Sequence, residues 1–261
     1  MSACATAATA RIAFAASMMV YGVHALVTRE LAGIWGPVPK FIPAQAVLPW
    51  LVGVVMLACG AGLLWRRTKP LAARVLLAWL LLWLVLARLA EAAMAPGVAG
   101  YWSGVGETLV VAAAAGMLVA DCDDIGDRGR LVARVLYGLA LIPFGLAHFV
   151  YLKETASLVP AWLPSPRAWA MVTGGAYLAA AVALLTGVCA RVASVLAAVQ
   201  IGGFTALVWL PILASGRADA PAWSESVISL ALTAAACVIA QGLRRAPSQC
   251  DSASSSSRPV E

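Results

Sequence analysis

Charged residues are scarce in this sequence. Asp, Glu, Lys and Arg together make up 11% of the 261 residues, whereas hydrophobic residues make up 62% and the mean hydropathy is +0.90. Soluble proteins contain about 25% charged and about 45–50% apolar residues. The composition therefore excludes a water-soluble enzyme, a disordered chain and a disulfide-rich secreted module. The net charge of +6 comes from Lys and Arg that are spread along the chain, so we expect no nucleic-acid partner.

Cysteine and histidine motifs are also missing. The six cysteines include no CxxC pair, and the chain has only two histidines. Neither residue type can supply the three or four closely spaced ligands that a structural metal site requires. The sequence therefore predicts no disulfide and no metal centre.

Long apolar runs dominate what is present. A helix needs about 20 mostly apolar residues to cross a bilayer, and the segments here are too long and lack the alternation of barrel strands. The sequence therefore predicts an all-α, polytopic membrane bundle whose surroundings are the lipid bilayer. The eight predicted spans are 11–29, 46–65, 71–90, 104–120, 131–151, 168–188, 192–213 and 224–243.

The distribution of basic residues predicts the orientation. With eight spans, one side collects twelve of the 18 Lys and Arg residues and the other side six. Because basic loops stay in the cytoplasm, we expect a multi-pass protein of the bacterial inner membrane with both termini cytoplasmic. The twelve are Arg11, Arg66, Arg67, Lys69, Arg74, Arg128, Arg130, Arg134, Arg191, Arg244, Arg245 and Arg258.

The two halves of the chain resemble each other. Matched residues recur 121 positions apart, and each half holds four of the predicted spans. An even number of spans preserves orientation, so the pattern predicts two parallel four-helix repeats. The matched pairs are PKFIP at 39–43 with PAWLP at 160–164, Gly53 with Gly174, and Trp102 with Trp223.

The repeats divide the chain into four parts. Residues 1–120 form the first four-helix repeat, and residues 131–243 form the second. Between them, residues 121–130 form an acidic cytoplasmic linker. Residues 244–261 are rich in serine, and we expect them to be a disordered cytoplasmic tail.

The second repeat carries a family resemblance. Gly145-x-x-His148-Phe149, the Pro160–Pro164 loop and Ala190-Arg191 together resemble the DoxX family of small bacterial four-helix membrane proteins. The resemblance covers 131–243 well and 11–120 more loosely, where Phe41 stands at the place of the loop tryptophan. Some members are subunits of a thiosulfate:quinone oxidoreductase, and others are linked to thiol redox balance. The resemblance therefore implies a redox membrane subunit that works with a protein partner.

The two histidines are the main candidates for a site. His24 and His148 each lie about 20 Å from the predicted inner surface of a hydrocarbon core about 30 Å thick. Ionisable groups at that depth are costly and often functional. Tyr21 precedes His24 by about one turn, whereas Tyr151 follows His148 and Trp162 lies in the next loop.

An imidazole beside aromatic side chains suits a quinone head group, because it can hydrogen-bond an oxygen and exchange a proton. We therefore predict quinone pockets at His24, His148, Tyr21, Tyr151 and Trp162. The better-preserved pocket contains His148, Tyr151 and Trp162, and His24 marks a second, degenerate one. Two structural histidines are the plainer interpretation, and a bis-histidine haem is a less favoured alternative.

Three charged residues at the predicted outer end are further candidates: Arg88, Glu91 and Glu107. Glu107 has no cation at helical spacing on its own helix. We therefore expect it to pair with Arg88 of the preceding span as a buried ion pair. Proton relay or ligand contact is the alternative role.

Three classes of function compete on this evidence. The first is a quinone- or thiol-linked redox subunit with its site in the outer half of the membrane. The second is a small-molecule transporter with a path between the repeats. The third is a membrane scaffold subunit without a site of its own.

Overall fold

The computed structural model describes residues 3–31, 33–36, 38–122, 126–216 and 218–244. These residues form helices and connecting turns, with no strand among them. The serine-rich tail beyond Arg244 lies outside the described residues.

The helices follow the apolar runs of the sequence. Each of the eight predicted spans lies on a helix, and seven of these helices are long and apolar enough to cross a membrane. The remaining one, Leu48–Leu64, is apolar and 17 residues long. In chain order the helices are α1 Ala3–Thr28, α2 Leu48–Leu64, α3 Lys69–Met94, α4 Ala99–Ala120, α5 Gly126–Val150, α6 Leu152–Ser157, α7 Pro166–Thr186, α8 Ala190–Ala214 and α9 Ala220–Arg244.

Several helices begin before the apolar runs do. Helix α5 starts at Gly126, although the sequence places residues 126–130 in the linker. Its first turn contains Asp127, whose charge is favourable at a helix N-terminus. Polar residues can therefore continue a membrane helix into water, and hydropathy alone does not detect that extension.

Neighbouring helices pack in the same order in both halves. In the N-terminal half α1 packs on α2, α2 on α3 and α3 on α4; in the C-terminal half α5 packs on α7, α7 on α8 and α8 on α9. Between the halves, α4 packs on α5, α9 packs on α1, and α4 and α9 pack on each other. Helices α4 and α9 are consequently the most buried of the long helices.

Glycines allow two of these helix pairs to approach closely. A Cβ at Gly22 of α1 would lie 2.8 Å from the carbonyl oxygen of Gly53 in α2. A Cβ at Gly145 of α5 would lie 3.0 Å from the carbonyl oxygen of Gly174 in α7. Such backbone contact requires small residues, as is typical of membrane helix pairs.

Both α3 and α8 contain a π-helical segment. It spans Leu84–Leu89 in α3 and Thr205–Trp209 in α8, so the two segments begin 121 positions apart. A π-segment accommodates an extra residue within a helix and often occurs at functional sites. The extra residue rotates the helix that follows it, so different side chains of α3 and α8 point towards the inside of the bundle.

The two proline-bounded loops form turns, as the sequence predicts for segments that cannot be regular helix. The amide of Ile42 donates to the carbonyl of Pro39 at 3.0 Å, and the amide of Leu163 donates to the carbonyl of Pro160 at 2.9 Å. Ser165, next to α7, has a positive φ of 54°. The 160–164 loop thus runs across the end of the bundle where α5 ends and α7 begins, which we call the cavity end.

Candidate functional site

A cavity of about 580 Å³ lies at the cavity end of the C-terminal half. Helices α5, α7, α8 and α9 enclose it, α4 contributes one edge, and α6 and the 158–163 loop lie across it. Its wall is predominantly apolar, with a small number of polar groups. That combination is typical of small-molecule sites.

Three of the five predicted pocket residues line this cavity. His148 projects from the last turns of α5, Tyr151 follows that helix, and Trp162 lies in the turn after α6. Glu107 of α4 also lines it. Tyr21 and His24 are not among the lining residues.

The backbone fixes the orientation of the His148 ring. Nδ1 lies 2.7 Å from the carbonyl oxygen of Phe144, one turn earlier in α5. A carbonyl can only accept, so Nδ1 carries the hydrogen and the neutral ring presents Nε2 as an acceptor. The ring also packs edge-on against Tyr177, with 5.3 Å between centroids. Among the described residues, Nε2 has no hydrogen-bond partner.

Aromatic rings form much of the wall around His148. Phe144 packs against Tyr177 at 5.9 Å between centroids, and Phe204 packs against Trp209 at 6.0 Å. These edge-to-face pairs keep the rings in defined positions. The cavity therefore has rigid flat surfaces against which another ring can pack.

Two carboxyl groups also face the cavity. Glu107 of α4 is half-buried, and Glu225 in the first turns of α9 is more exposed. Neither has a hydrogen-bond or ion-pair partner among the described residues, and the lining residues include no Lys or Arg. The carboxyl oxygens are therefore available to a ligand.

The remaining polar residues mostly join helices to one another. Gln200 of α8 donates from Nε2 to the carbonyl of Thr173 in α7 at 3.0 Å. The Thr205 hydroxyl lies 2.6 Å from that of Ser229 in α9. These bonds link α7, α8 and α9, and thereby fix the shape of the cavity.

Three lining residues, Glu225, Tyr177 and Gln200, were not predicted as site residues. Glu225 could have been found, because it is an acidic residue just inside an apolar span, as Glu107 is. Gln200 stands alone as an amide in an apolar run. Nothing in the sequence distinguishes Tyr177 from other buried aromatic residues.

The corresponding end of the N-terminal half is filled by the chain itself. Residues 33–36, which we call the inserted segment, include a short 3₁₀ helix at Gly33–Trp35. Ile34 and Trp35 are 0% and 1% exposed. Trp35 packs edge-on against Trp83 of α3, with 5.6 Å between ring centroids. The inserted segment therefore occupies space that the C-terminal half leaves open.

Arg88 holds the inserted segment in place. Its guanidinium donates to the carbonyl oxygens of Gly33 at 2.8 Å and Ile34 at 3.2 Å, and also to that of Gly36. The side chain is buried, and its remaining bond goes to Glu91 at 3.3 Å. Three backbone carbonyls and one carboxylate thus use all of its donor-bearing nitrogens.

The expected pairing of Arg88 with Glu107 is therefore wrong. Arg88 forms its ion pair with Glu91, three residues later on the same helix. The inserted segment takes the Nε hydrogen and both Nη2 hydrogens, and no hydrogen bond or ion pair joins Arg88 to Glu107. The backbone carbonyls that capture Arg88 leave no signal in a sequence pattern.

The two histidines do not occupy equivalent positions. The glycine contacts match Gly22 to Gly145, which places His24 opposite Ala147 and His148 opposite Ala25. His24 is half-buried, and its backbone carbonyl accepts from Thr28. Tyr21 is buried, with its hydroxyl close to Gly33. Tyr21 therefore supports the inserted segment rather than lining the cavity.

Metal-binding residues do not gather in the described part of the chain: no three of its His, Cys, Asp and Glu residues lie close enough to hold an ion. The described cysteines Cys59, Cys122, Cys189 and Cys237 are free. None of the four lines the cavity.

Comparison with known proteins gives one match. Residues 137–246 match the model of a domain of unknown function (DUF8561). No curated protein and no solved structure matches the chain. The matched region begins within α5 and extends just past α9, so it contains most of the cavity wall.

Proposed function

We propose that this multi-pass membrane protein binds a quinone-type ring in the cavity of its C-terminal half, as a redox subunit. The observation that carries the proposal is His148, which is oriented by the Phe144 carbonyl and faces an aromatic-walled cavity. Ring binding needs flat apolar surfaces with a few polar groups at fixed positions. An imidazole can also exchange a proton with a ring oxygen.

The volume and the entrance of the cavity support a lipophilic ligand. About 580 Å³ lies within the usual range of about 300–1,000 Å³ for ligand pockets. The most exposed of the large hydrophobic lining residues are Trp162 at 70% and Leu207 at 49%. We infer that they mark the mouth, through which an isoprenoid tail extends into the lipid.

For the membrane arrangement, we propose eight spans in two parallel four-helix repeats, with both termini in the cytoplasm of a bacterial inner membrane. The 17 residues of α2 give a helix of about 26 Å, close to the core thickness of about 30 Å. Matched helix packing, glycine contacts and π-segments support the duplication. The excess of basic residues on one side supports the orientation.

Cysteine labelling from outside intact cells tests this topology. We expect labelling of single cysteines at the predicted outer loops and protection at the inner ones. Labelling at 126 would show that an odd number of spans precedes the central loop. The outer positions are 40, 97, 162 and 218, and the inner ones are 68, 126 and 248.

The resemblance to the DoxX family supports a redox role, since quinone chemistry occurs there. The motifs that carry it, at 145–149 and 160–164, contribute directly to the cavity wall. The four described free cysteines lie away from the cavity, which favours quinone over thiol chemistry. Electron exchange with the ring then calls for a protein partner subunit.

Recovery of bound ring compounds tests the function directly. The protein is purified in mild detergent, and extracted small molecules are identified by mass spectrometry. We expect a ring compound, in its quinone or hydroquinone form, to copurify with the wild type, and we expect less of it to be recovered from His148→Phe. His24→Phe is the matched control, because His24 lies outside the cavity. No ring compound in the wild type, or equal recovery in both variants, would contradict the proposal.

A small-molecule transporter is the second candidate. The π-segment at Thr205–Trp209 interrupts the regular helix beside the cavity, and interrupted helices line the paths of many transporters. Uptake of a labelled amine or acid by proteoliposomes would favour this function. If the protein shows neither uptake nor ring binding, the membrane scaffold is the function that remains.

A further inference from the structure

We infer that the cavity recognises hydrogen-bond donors, so that it binds the hydroquinone form of a ring more tightly than the quinone form. This inference rests on the proposed function and specifies the redox state of its ligand. A hydroquinone has two hydroxyl groups that donate and accept, whereas a quinone has two carbonyl oxygens that only accept. The preference follows from the acceptor groups of the cavity that have no hydrogen-bond partner within the protein.

His148 supplies the first acceptor. Because the Phe144 carbonyl at 2.7 Å holds the hydrogen on Nδ1, the neutral ring can only accept at Nε2. Rotation that would offer Nδ1 to a ligand breaks that bond within α5. A ligand hydroxyl satisfies Nε2, and a ligand carbonyl leaves it unpaired.

Glu107 and Glu225 supply the other acceptors. A carboxylate only accepts, and a protonated carboxyl group still retains an acceptor oxygen. Both side chains face the cavity from α4 and α9, and the described lining residues offer them no cation. A ligand hydroxyl can therefore donate to either carboxyl group in any protonation state, whereas a ligand carbonyl oxygen finds a donor there only when a carboxyl group is protonated.

Several side-chain donors of the cavity are already used within the protein. Gln200 donates to the carbonyl of Thr173, the Thr173 hydroxyl donates to that of Trp169 at 2.8 Å, and Ser103 donates to that of Ala99 at 3.3 Å. The indole N–H groups of Trp162, Trp169 and Trp209 have no hydrogen-bond partner among the described residues, and the Tyr151 hydroxyl accepts from the Gly100 amide at 3.1 Å. Because a hydroxyl oxygen also accepts, these donors are compatible with a hydroquinone.

The consequence is a difference in binding free energy between the hydroquinone and quinone forms of one ring. Both forms bury the same apolar surface against the aromatic wall, so that contribution cancels. The difference in binding free energy comes from the acceptors that stay unpaired when a ligand carbonyl replaces a ligand hydroxyl. At the usual net value of one hydrogen bond, we expect about three- to tenfold tighter binding of the hydroquinone.

Binding of a decyl-substituted benzohydroquinone and its benzoquinone to the full chain in detergent micelles tests the inference. Affinity is measured without oxygen at neutral pH by the ligand-dependent rise in the thermal unfolding midpoint, with empty micelles as the partition control. We expect the hydroquinone to bind at least threefold more tightly. Equal binding, or tighter binding of the quinone, overturns the inference while the proposed function stands. Binding of neither ring contradicts the proposed function itself.

A carboxamide substitution locates the preference. Glu107→Gln keeps the side-chain shape and adds donor hydrogens, so it should narrow the ratio of the two affinities by threefold or more, mainly by improving quinone binding. Glu154→Gln is the matched control, because Glu154 is exposed on α6 and does not line the cavity. An unchanged ratio in Glu107→Gln, or the same change in Glu154→Gln, shows that the cavity carboxyl groups do not set the preference.

Discussion

The two halves of the molecule place different material at the same end of the bundle. In the N-terminal half the inserted segment, 33–36, fills the space between the helices, whereas in the C-terminal half the space is a cavity. Arg88 in the π-segment of α3 and Trp209 in that of α8 stand 121 positions apart. The arginine binds backbone carbonyls, and the tryptophan lines the cavity. The residue type at this matched position, arginine or tryptophan, thus distinguishes the filled half from the open one.

The connections after α1 and α5 explain the rest of the difference. Among the described residues between Thr28 and Leu48, only Gly33–Trp35 are helical, and Gly33 with a φ of +62° turns the chain inward. Between Val150 and Pro166 the chain forms α6, which lies across the cavity. The short helix α6 cannot be inserted between membrane helices as readily as four residues whose carbonyls have a guanidinium to bind.

Removal of the arginine should have the largest effect. Arg88→Met removes the guanidinium donor from Glu91 and from three carbonyls, of which Gly33 and Ile34 keep a second donor in the Gly36 amide and the Trp83 indole. Because Glu91 is left as an unpaired buried charge, the free energy of unfolding should fall by about 3–5 kcal/mol. Thermal unfolding in detergent measures the loss. The double variant Arg88→Met/Glu91→Gln should recover part of it, since no uncompensated charge then remains. A loss below about 1 kcal/mol would show that the inserted segment is held by packing alone.

A methyl group at Gly33 should have an intermediate effect. In Gly33→Ala the new Cβ would lie 2.6 Å from Ile228, and the alanine would have to adopt a φ of +62°. We therefore expect the free energy of unfolding to fall by about 2–3 kcal/mol. Gly216→Ala is the matched control, because Gly216 has a φ of +67° and open space around it. Its loss should be about 1 kcal/mol. Equal losses would mean that the inserted segment tolerates the methyl group.

Loss of one hydrogen bond to the inserted segment should have the smallest effect. The Gly33 amide donates to the Ser224 hydroxyl of α9 at 3.0 Å, so Ser224→Ala should cost about 0.5–1.5 kcal/mol. Ser103, 121 positions earlier, bonds within its own helix to Ala99. Ser103→Ala should therefore change the unfolding midpoint less. The reverse order would contradict the role of Ser224 as an anchor.

The helices could be predicted from the sequence because each is an apolar run close to the thickness of a bilayer. Residues His148, Tyr151 and Trp162 could be brought together by their spacing along one helix and the loop that follows it. Helix ends such as Gly126–Arg130 were missed, because polar residues there extend a helix without changing the hydropathy signal.

The filling of one half and the opening of the other could not be predicted. Arg88 is matched to backbone carbonyls of Gly33, Ile34 and Gly36, and every residue has a carbonyl, so no residue type marks the partner. The same ambiguity produced the incorrect pairing with Glu107. Such contacts depend on tertiary packing, and the sequence pattern carries no information about it.

The bond between Gly33 and Ser224 joins the inserted segment to the residue that precedes Glu225, a cavity residue. A ligand that shifts Glu225 moves the same helical turn that anchors the inserted segment, so the two events are thermodynamically coupled in both directions. The exchange rate of the Gly33 amide hydrogen with solvent would therefore act as a reporter of cavity occupancy, read from a part of the chain that the ligand never touches.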